Sequence, residues 1–115
     1  MEREPLVVAT TTHGTISVSR DAVVEIVGNA AAESYGVVAF AGERRMSRLF
    51  PRGLRKGIDV ELRDDGLAVE ILVVVEHGLK LAEVADAVRE RVLYELERMV
   101  GLPVASLEVR IEKVR

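Results

Sequence analysis

The chain has 115 residues and a mass of 12.6 kDa, 49% hydrophobic and 30% charged, which suits one domain over residues 1–115 and excludes a disordered tail. Thirteen Arg and three Lys against nineteen acids leave a net charge of −3, the wrong balance for a protein that binds nucleic acid by bulk charge. The absence of Cys and the presence of only two His exclude disulfides, thiol nucleophiles and Cys-based zinc sites, and 3% aromatics are too few for a base-stacking platform.

The opening Met1-Glu2-Arg3-Glu4-Pro5 has neither a basic n-region nor an apolar h-region. The longest aliphatic run, Ile71 to Val75, is five residues, against about twenty for a membrane helix. A soluble, cytoplasmic protein is expected. Residues 6–12 are β-branched and read as a strand. His13-Gly14 interrupts it before Thr15-Ile16-Ser17-Val18, so residues 6–18 form either one bent strand or a hairpin.

Ser19 is a good helix N-cap, with Asp21 in the first turn where the helix dipole favours a carboxylate. Val23, Ile26, Val27 and Ala30 form the apolar stripe, and Asp21, Glu25, Asn29 and Glu33 the polar one. Gly36 is the stop signal. Gly28 lies inside the helix, where it is either tolerated drift or a point of close backbone approach. Residues 37–41 are a short apolar strand.

Residues 43–57 break the pattern. They hold Arg44, Arg45, Arg48, Arg52, Arg55 and Lys56 against Glu43 alone. The stretch carries +5, and the rest of the chain −3 − 5 = −8. Met46, Leu49, Phe50 and Leu54 lie among the cations, a pattern suited to an anionic membrane surface, a phosphate-rich partner or an acidic protein, and equally that of a loop that is only solvated.

Ile58-Asp59-Val60-Glu61-Leu62-Arg63 alternates, and Asp64-Asp65-Gly66 is a hairpin turn signal. Residues 67–76 return as a strand with Val69, Ile71, Val73 and Val75 on one face. Leu72 and Val74 put apolar surface on the other face, which predicts cover there, either by self-association or a partner or by the N-terminal segment or the 43–57 stretch of the same chain. A second helix follows on Leu81, Val84, Ala85, Val88, Val92, Leu96 and Met99, with Asp86/Arg89 and Arg91/Glu95 as surface pairs. Gly101-Leu102-Pro103 stops it, and residues 104–114 alternate as a last strand. The expected fold is α+β: a two-layer sandwich in the order β-α-β-β-α-β, its sheet mainly antiparallel, with both helices on one face.

Catalytic patterns find little support. No serine sits in a nucleophile elbow, and Ser19 is explained as a cap. His13 and His77 each precede a glycine at a strand end; together they could hold a metal or shuttle a proton only if the fold paired them in one pocket. Asp64-Asp65 is better explained as a turn than as a carboxylate pair. Gly53-Leu54-Arg55-Lys56-Gly57 matches neither a Walker A loop nor a GXXG loop. The reading is no enzyme and no cofactor or metal.

Taken in order, Gly14-Thr15-Ile16-Ser17-Val18-Ser19, Ala30 to Val38, Gly57-Ile58-Asp59-Val60, Val73-Val74-Val75-Glu76-His77-Gly78, Glu83-Val84-Ala85, Val100-Gly101-Leu102-Pro103-Val104 and Val109-Arg110-Ile111 resemble the alkaline shock protein family, the Gls-type envelope stress response family of Gram-positive bacteria. The match covers roughly residues 14 to 114. Residues 42–55 fall where family members vary, so the arginines there are not a family trait. Lys80 and Ala82 stand where a helix cap would be expected. The resemblance implies a non-enzymatic cytoplasmic protein tied to cell-envelope stress. Its implied partners are a membrane anchor protein or a dihydroxyacetone-kinase-like protein. It supplies no catalytic residues. The resulting expectation is a homo-oligomer that self-associates through Leu72 and Val74 and contacts an anion or partner through Arg44, Arg45, Arg48, Arg52, Arg55 and Lys56. The alternative is a small nucleic-acid-binding module using the same cations.

Overall fold

The computed structural model describes residues 5–40 and 57–115. They form β1 (Pro5–Thr11), β2 (Gly14–Ser19), α1 (Arg20–Ala32), β3 (Val37–Phe40), β4 (Ile58–Arg63), β5 (Gly66–Val75), α2 (Leu81–Met99) and β6 (Val104–Val114). This is the expected α+β sandwich. The order carries two strands more than β-α-β-β-α-β, for two physical reasons. His13 and Gly14 fold residues 5–19 into an antiparallel hairpin, β1 on β2, instead of one bent strand. The short strand β3 pairs with β5 in its own right.

β5 organises the sheet. β6 runs parallel along one side of it, from the Leu67↔Val104 pair to Val75↔Val114. A strand has only two edges, so β3 and β4 share the other. β3 pairs antiparallel with the C-terminal end (Val37↔Val75, Phe40↔Val73) and β4 with the N-terminal half (Ile58↔Ile71 to Arg63↔Gly66). β3 and β4 thus follow one another along the same edge of β5.

Both helices pack on one sheet face. Val69, Ile71, Val73 and Val75 of β5 and Val60 of β4 meet Val23, Val24, Val27, Ala30 and Ala31 of α1 and Val84, Val88, Val92 and Leu96 of α2 in one cluster. Among the described residues no polar or charged side chain is buried, so apolar burial holds the layers together at roughly 25 cal/mol per Å². Leu6 joins the cluster and Val18 packs against it, tying down the base of the hairpin while Ile16 stays exposed.

Local chemistry sets the element ends. Ser19 Oγ accepts the Ala22 N–H at 3.0 Å and caps α1. α1 ends at Ala32, earlier than Gly36, because the Ser34 N–H and Oγ bond the Ala31 and Ala30 carbonyls at 3.0 and 2.9 Å. Gly101 closes α2 with φ +82, its N–H donating to the Leu96 carbonyl at 3.1 Å. Leu102 then packs against the core.

Candidate functional site

The sequence points to two surfaces. Arg44, Arg45, Arg48, Arg52, Arg55 and Lys56 lie outside the described residues. The places that bracket them are defined: Phe40 pairs with Val73, and the Gly57 carbonyl accepts the Leu72 N–H at 2.7 Å. The cationic stretch therefore leaves and rejoins the sheet at neighbouring positions on β5.

Leu72 and Val74 belong to the sheet face turned away from the helices, outside the core cluster. Leu72 is half-buried, and Val74 is 4% exposed. Around them Asp59, Glu61 and Arg63 of β4 and Ser106, Glu108 and Arg110 of β6 are exposed. Asp59, Glu70 and Glu108 stand side by side across three strands, where like charges repel. Arg110 relieves part of this, reaching Glu70 at 3.3 Å and Glu108 at 3.6 Å. Arg20 lies 3.7 Å from Asp59, and Arg63 3.6 Å from Glu61. A recess of about 120 Å³ lies among these groups. Sequence alternation places each residue on this face. The row of three carboxylates emerges only from the strand register.

The helical layer carries a second polar feature. Arg91 of α2 donates to Glu33, just beyond α1, at 2.6 Å and sits 3.5 Å from Glu95. Glu95 also holds Arg98 at 2.8 Å, and Arg98 lies over the Tyr94 ring at 5.8 Å. The hydrogen-bonded Glu95 carboxylate raises the Arg98 guanidinium above its ordinary value. Ile26, Asn29, Ala30 and Met99 complete a shallow groove of about 280 Å³ there. The Arg91–Glu95 pair follows from spacing along one helix, whereas the Glu33–Arg91 contact spans 58 positions and has only the polar stripe of α1 as its signal. Asp86 and Arg89 form no ion pair among the described residues.

The histidines sit on separate elements. His13 is exposed at the β1–β2 turn, its Nδ1 3.4 Å from Thr12 Oγ1. His77 is exposed beyond β5, its backbone N–H donating to the Arg115 carbonyl. Among the described residues no group of three His, Asp or Glu could hold a metal ion. Asp64 and Asp65 form the exposed turn between β4 and β5.

Fold and surfaces together define a small α+β protein with a helical layer on one sheet face and a charged, partly apolar second face turned outward. The alkaline shock protein 23 family, described by a cell envelope-related function, matches residues 8–115, and the chain belongs to that family. An uncharacterized protein of Streptococcus pyogenes is 32% identical over 110 residues, covering 91% of each chain. The uncharacterized protein YloU of Bacillus subtilis is 28% identical over 110 residues, covering 91% of this chain and 92% of the relative. YqhY, also uncharacterized and from Bacillus subtilis, is 29% identical over 101 residues, with 85% and 75% covered. No solved structure matches. Among the described residues no helix is long and apolar enough to cross a membrane.

Proposed function

We propose that this chain is a non-enzymatic interaction protein of the cell envelope, acting in the cytoplasm by self-association and by docking on a membrane-linked or metabolic-enzyme partner. The observation that carries the reading is Leu72, half-buried on the sheet face that none of the described helices covers, beside Val74, which is only 4% exposed and so adds apolar backing rather than open surface. Apolar residues on the outward face of a central strand favour contact with another surface. The family's cell envelope-related description supports the same setting. The six cations Arg44, Arg45, Arg48, Arg52, Arg55 and Lys56, +5 with Glu43, supply the contact to an anionic partner.

Sedimentation of the wild type against Leu72→Thr tests the self-association. Threonine is β-branched and suits a strand, while it removes apolar surface. We expect association to weaken roughly tenfold, the equivalent of about 1.4 kcal/mol. A wild type that stays monomeric at high concentration overturns this part of the reading. Co-purification from the native cell with the six cations changed to Ala tests docking. Retention of the same partner by that variant removes the cations from the contact.

A further inference from the structure

We infer that β6 is a self-complementary edge, through which two copies of this chain join their sheets about a twofold axis at Val109. The inference rests on the self-association proposed above and gives it a contact separate from Leu72 and Val74.

The backbone geometry comes first. Successive residues of a strand turn their N–H and C=O groups to opposite edges. The Leu72 and Glu76 N–H groups donate to Gly57 and Gly36, on the β3/β4 side. The Leu67 and His77 N–H groups donate to Pro103 and Arg115, and Arg115 donates to Val75, on the β6 side. Odd-numbered residues of β5 therefore face β6. They pair as Val69↔Leu107, Ile71↔Val109 and Val73↔Ile111. In a parallel ladder each such residue bonds the two residues flanking its partner. The ladder thus engages Ser106, Glu108, Arg110 and Glu112, and it leaves the backbone groups of Leu107, Val109 and Ile111 pointing outward. Among the described residues β6 pairs with β5 alone. The opposite edge of β5 is taken by two shorter strands, β3 and β4, so among the described residues β6 is the longest single edge strand.

The side chains select one partner and one register. Leu107, Val109 and Ile111 pack against the core yet are only half-buried, whereas Ile71 and Val73 beside them on β5 are 0% exposed. Apolar surface therefore remains open along the edge. Irregularities between the Leu67 and Ala68 pairs and between the Val73 and Val74 pairs confine regular pairing to residues 107–111. Within that segment, antiparallel pairing of two copies about Glu108 opposes Glu108 to Glu108. Pairing about Arg110 opposes Arg110 to Arg110. Pairing about Val109 sets Glu108 against Arg110 twice, Leu107 against Ile111 twice, and Val109 against itself. In that register the three outward-facing residues form the hydrogen-bonded pairs. The Glu108–Arg110 pairs fall at the non-hydrogen-bonded positions, where side chains approach most closely. Both side chains are exposed, 60% and 55%, and the contacts Arg110 already makes with Glu108 and Glu70, at 3.6 and 3.3 Å, are surface ion pairs that cost little to exchange. An unpaired edge with a complementary sequence is a template for strand addition, and a twofold contact closes at two copies.

Charge reversal with rescue is the test. Wild type, Glu108→Arg, Arg110→Glu, the double variant and an equimolar mixture of the two single variants are compared by sedimentation equilibrium. Amide exchange is followed at low and high concentration. We expect each single variant to dimerise at least roughly tenfold more weakly, since two like-charged pairs replace two attractive ones. The double variant and the mixture should recover wild-type dimerisation. The Leu107, Val109 and Ile111 amides should gain protection with concentration, while the amides already bonded to β5 hold theirs. A wild type monomeric throughout overturns both this inference and the self-association reading. A wild type that associates without response to reversal, and without protection of those three amides, overturns the edge and leaves association through Leu72 and Val74 standing.

Discussion

Gly66 shows how one residue can be dictated by a distant part of the chain. It takes φ +134, a region open in practice to glycine, and a Cβ there would collide with the Pro103 carbonyl oxygen. That carbonyl also accepts the Leu67 N–H at 2.8 Å and starts the β5–β6 ladder. Gly66→Ala therefore combines backbone strain with a clash against main chain that cannot yield without opening the ladder. We expect a loss of about 2–4 kcal/mol, read as a shift in the urea midpoint at unchanged slope. The turn itself is legible in Asp64-Asp65-Gly66. The need for glycine is not, because its cause lies 37 positions downstream. Leu72 and Val74 follow the same division. Alternation along β5 puts both on the face away from the helices, as found. Val74 is nonetheless only 4% exposed, and its pairing with Ala39 on β3 and Lys113 on β6 falls at register shifts that no alternation rule supplies.

At the scale of the element, α2 is the best-read piece and also carries a correctable defect. Its span, Leu81–Met99, follows from apolar spacing and from Gly101 as stop signal. Lys80 at its N-cap has the extended backbone of a capping residue (φ −77, ψ 117) but makes no side-chain capping bond. A cation there also opposes the helix dipole. Lys80→Asp should stabilise the protein by about 1 kcal/mol, with Lys80→Ser somewhat below it, measured by chemical denaturation in low salt. The difference between the two should shrink as salt is added, since only the dipole contribution is screened. On the other side of the helix layer, the Glu33–Arg91 contact is exposed and should be worth no more than about 1 kcal/mol in a double-mutant cycle with alanine. Strand pairing leaves a weaker trace in the sequence than helical spacing does. β3 and β4 each have a plausible apolar pattern, but their sharing of one edge of β5 is set by long-range pairing. Residues 5–19 are polar and β-branched on either side of His13-Gly14, which suits a hairpin and a bent strand equally until Leu6 and Val18 reach the core and decide it.

Across the whole molecule stability is unevenly placed, and the sheet topology says where. β5 is paired along both edges and covered on one face by both helices, so its amides are expected to open only when the protein unfolds as a unit. The β1–β2 hairpin is a separate two-stranded sheet. Two strands alone are marginal in water, and this pair is held by Leu6 and Val18 at its base while its tip, from Thr10 to Thr15, is exposed. Native-state amide exchange should therefore find the β1–β2 ladder opening independently, with protection at least roughly a hundredfold below that of Ile71 and Val73, a gap of about 2.7 kcal/mol. Leu6→Ala should widen that gap, because the contact it removes belongs to the hairpin more than to the layers. If the hairpin amides and the β5 amides instead exchange with one common free energy, the arm is part of the cooperative core, and the contacts at its base hold the whole ladder rather than one end of it. The comparison uses the intact chain and reads both regions in one experiment, so it separates a loosely attached arm from a protein that is uniformly weak.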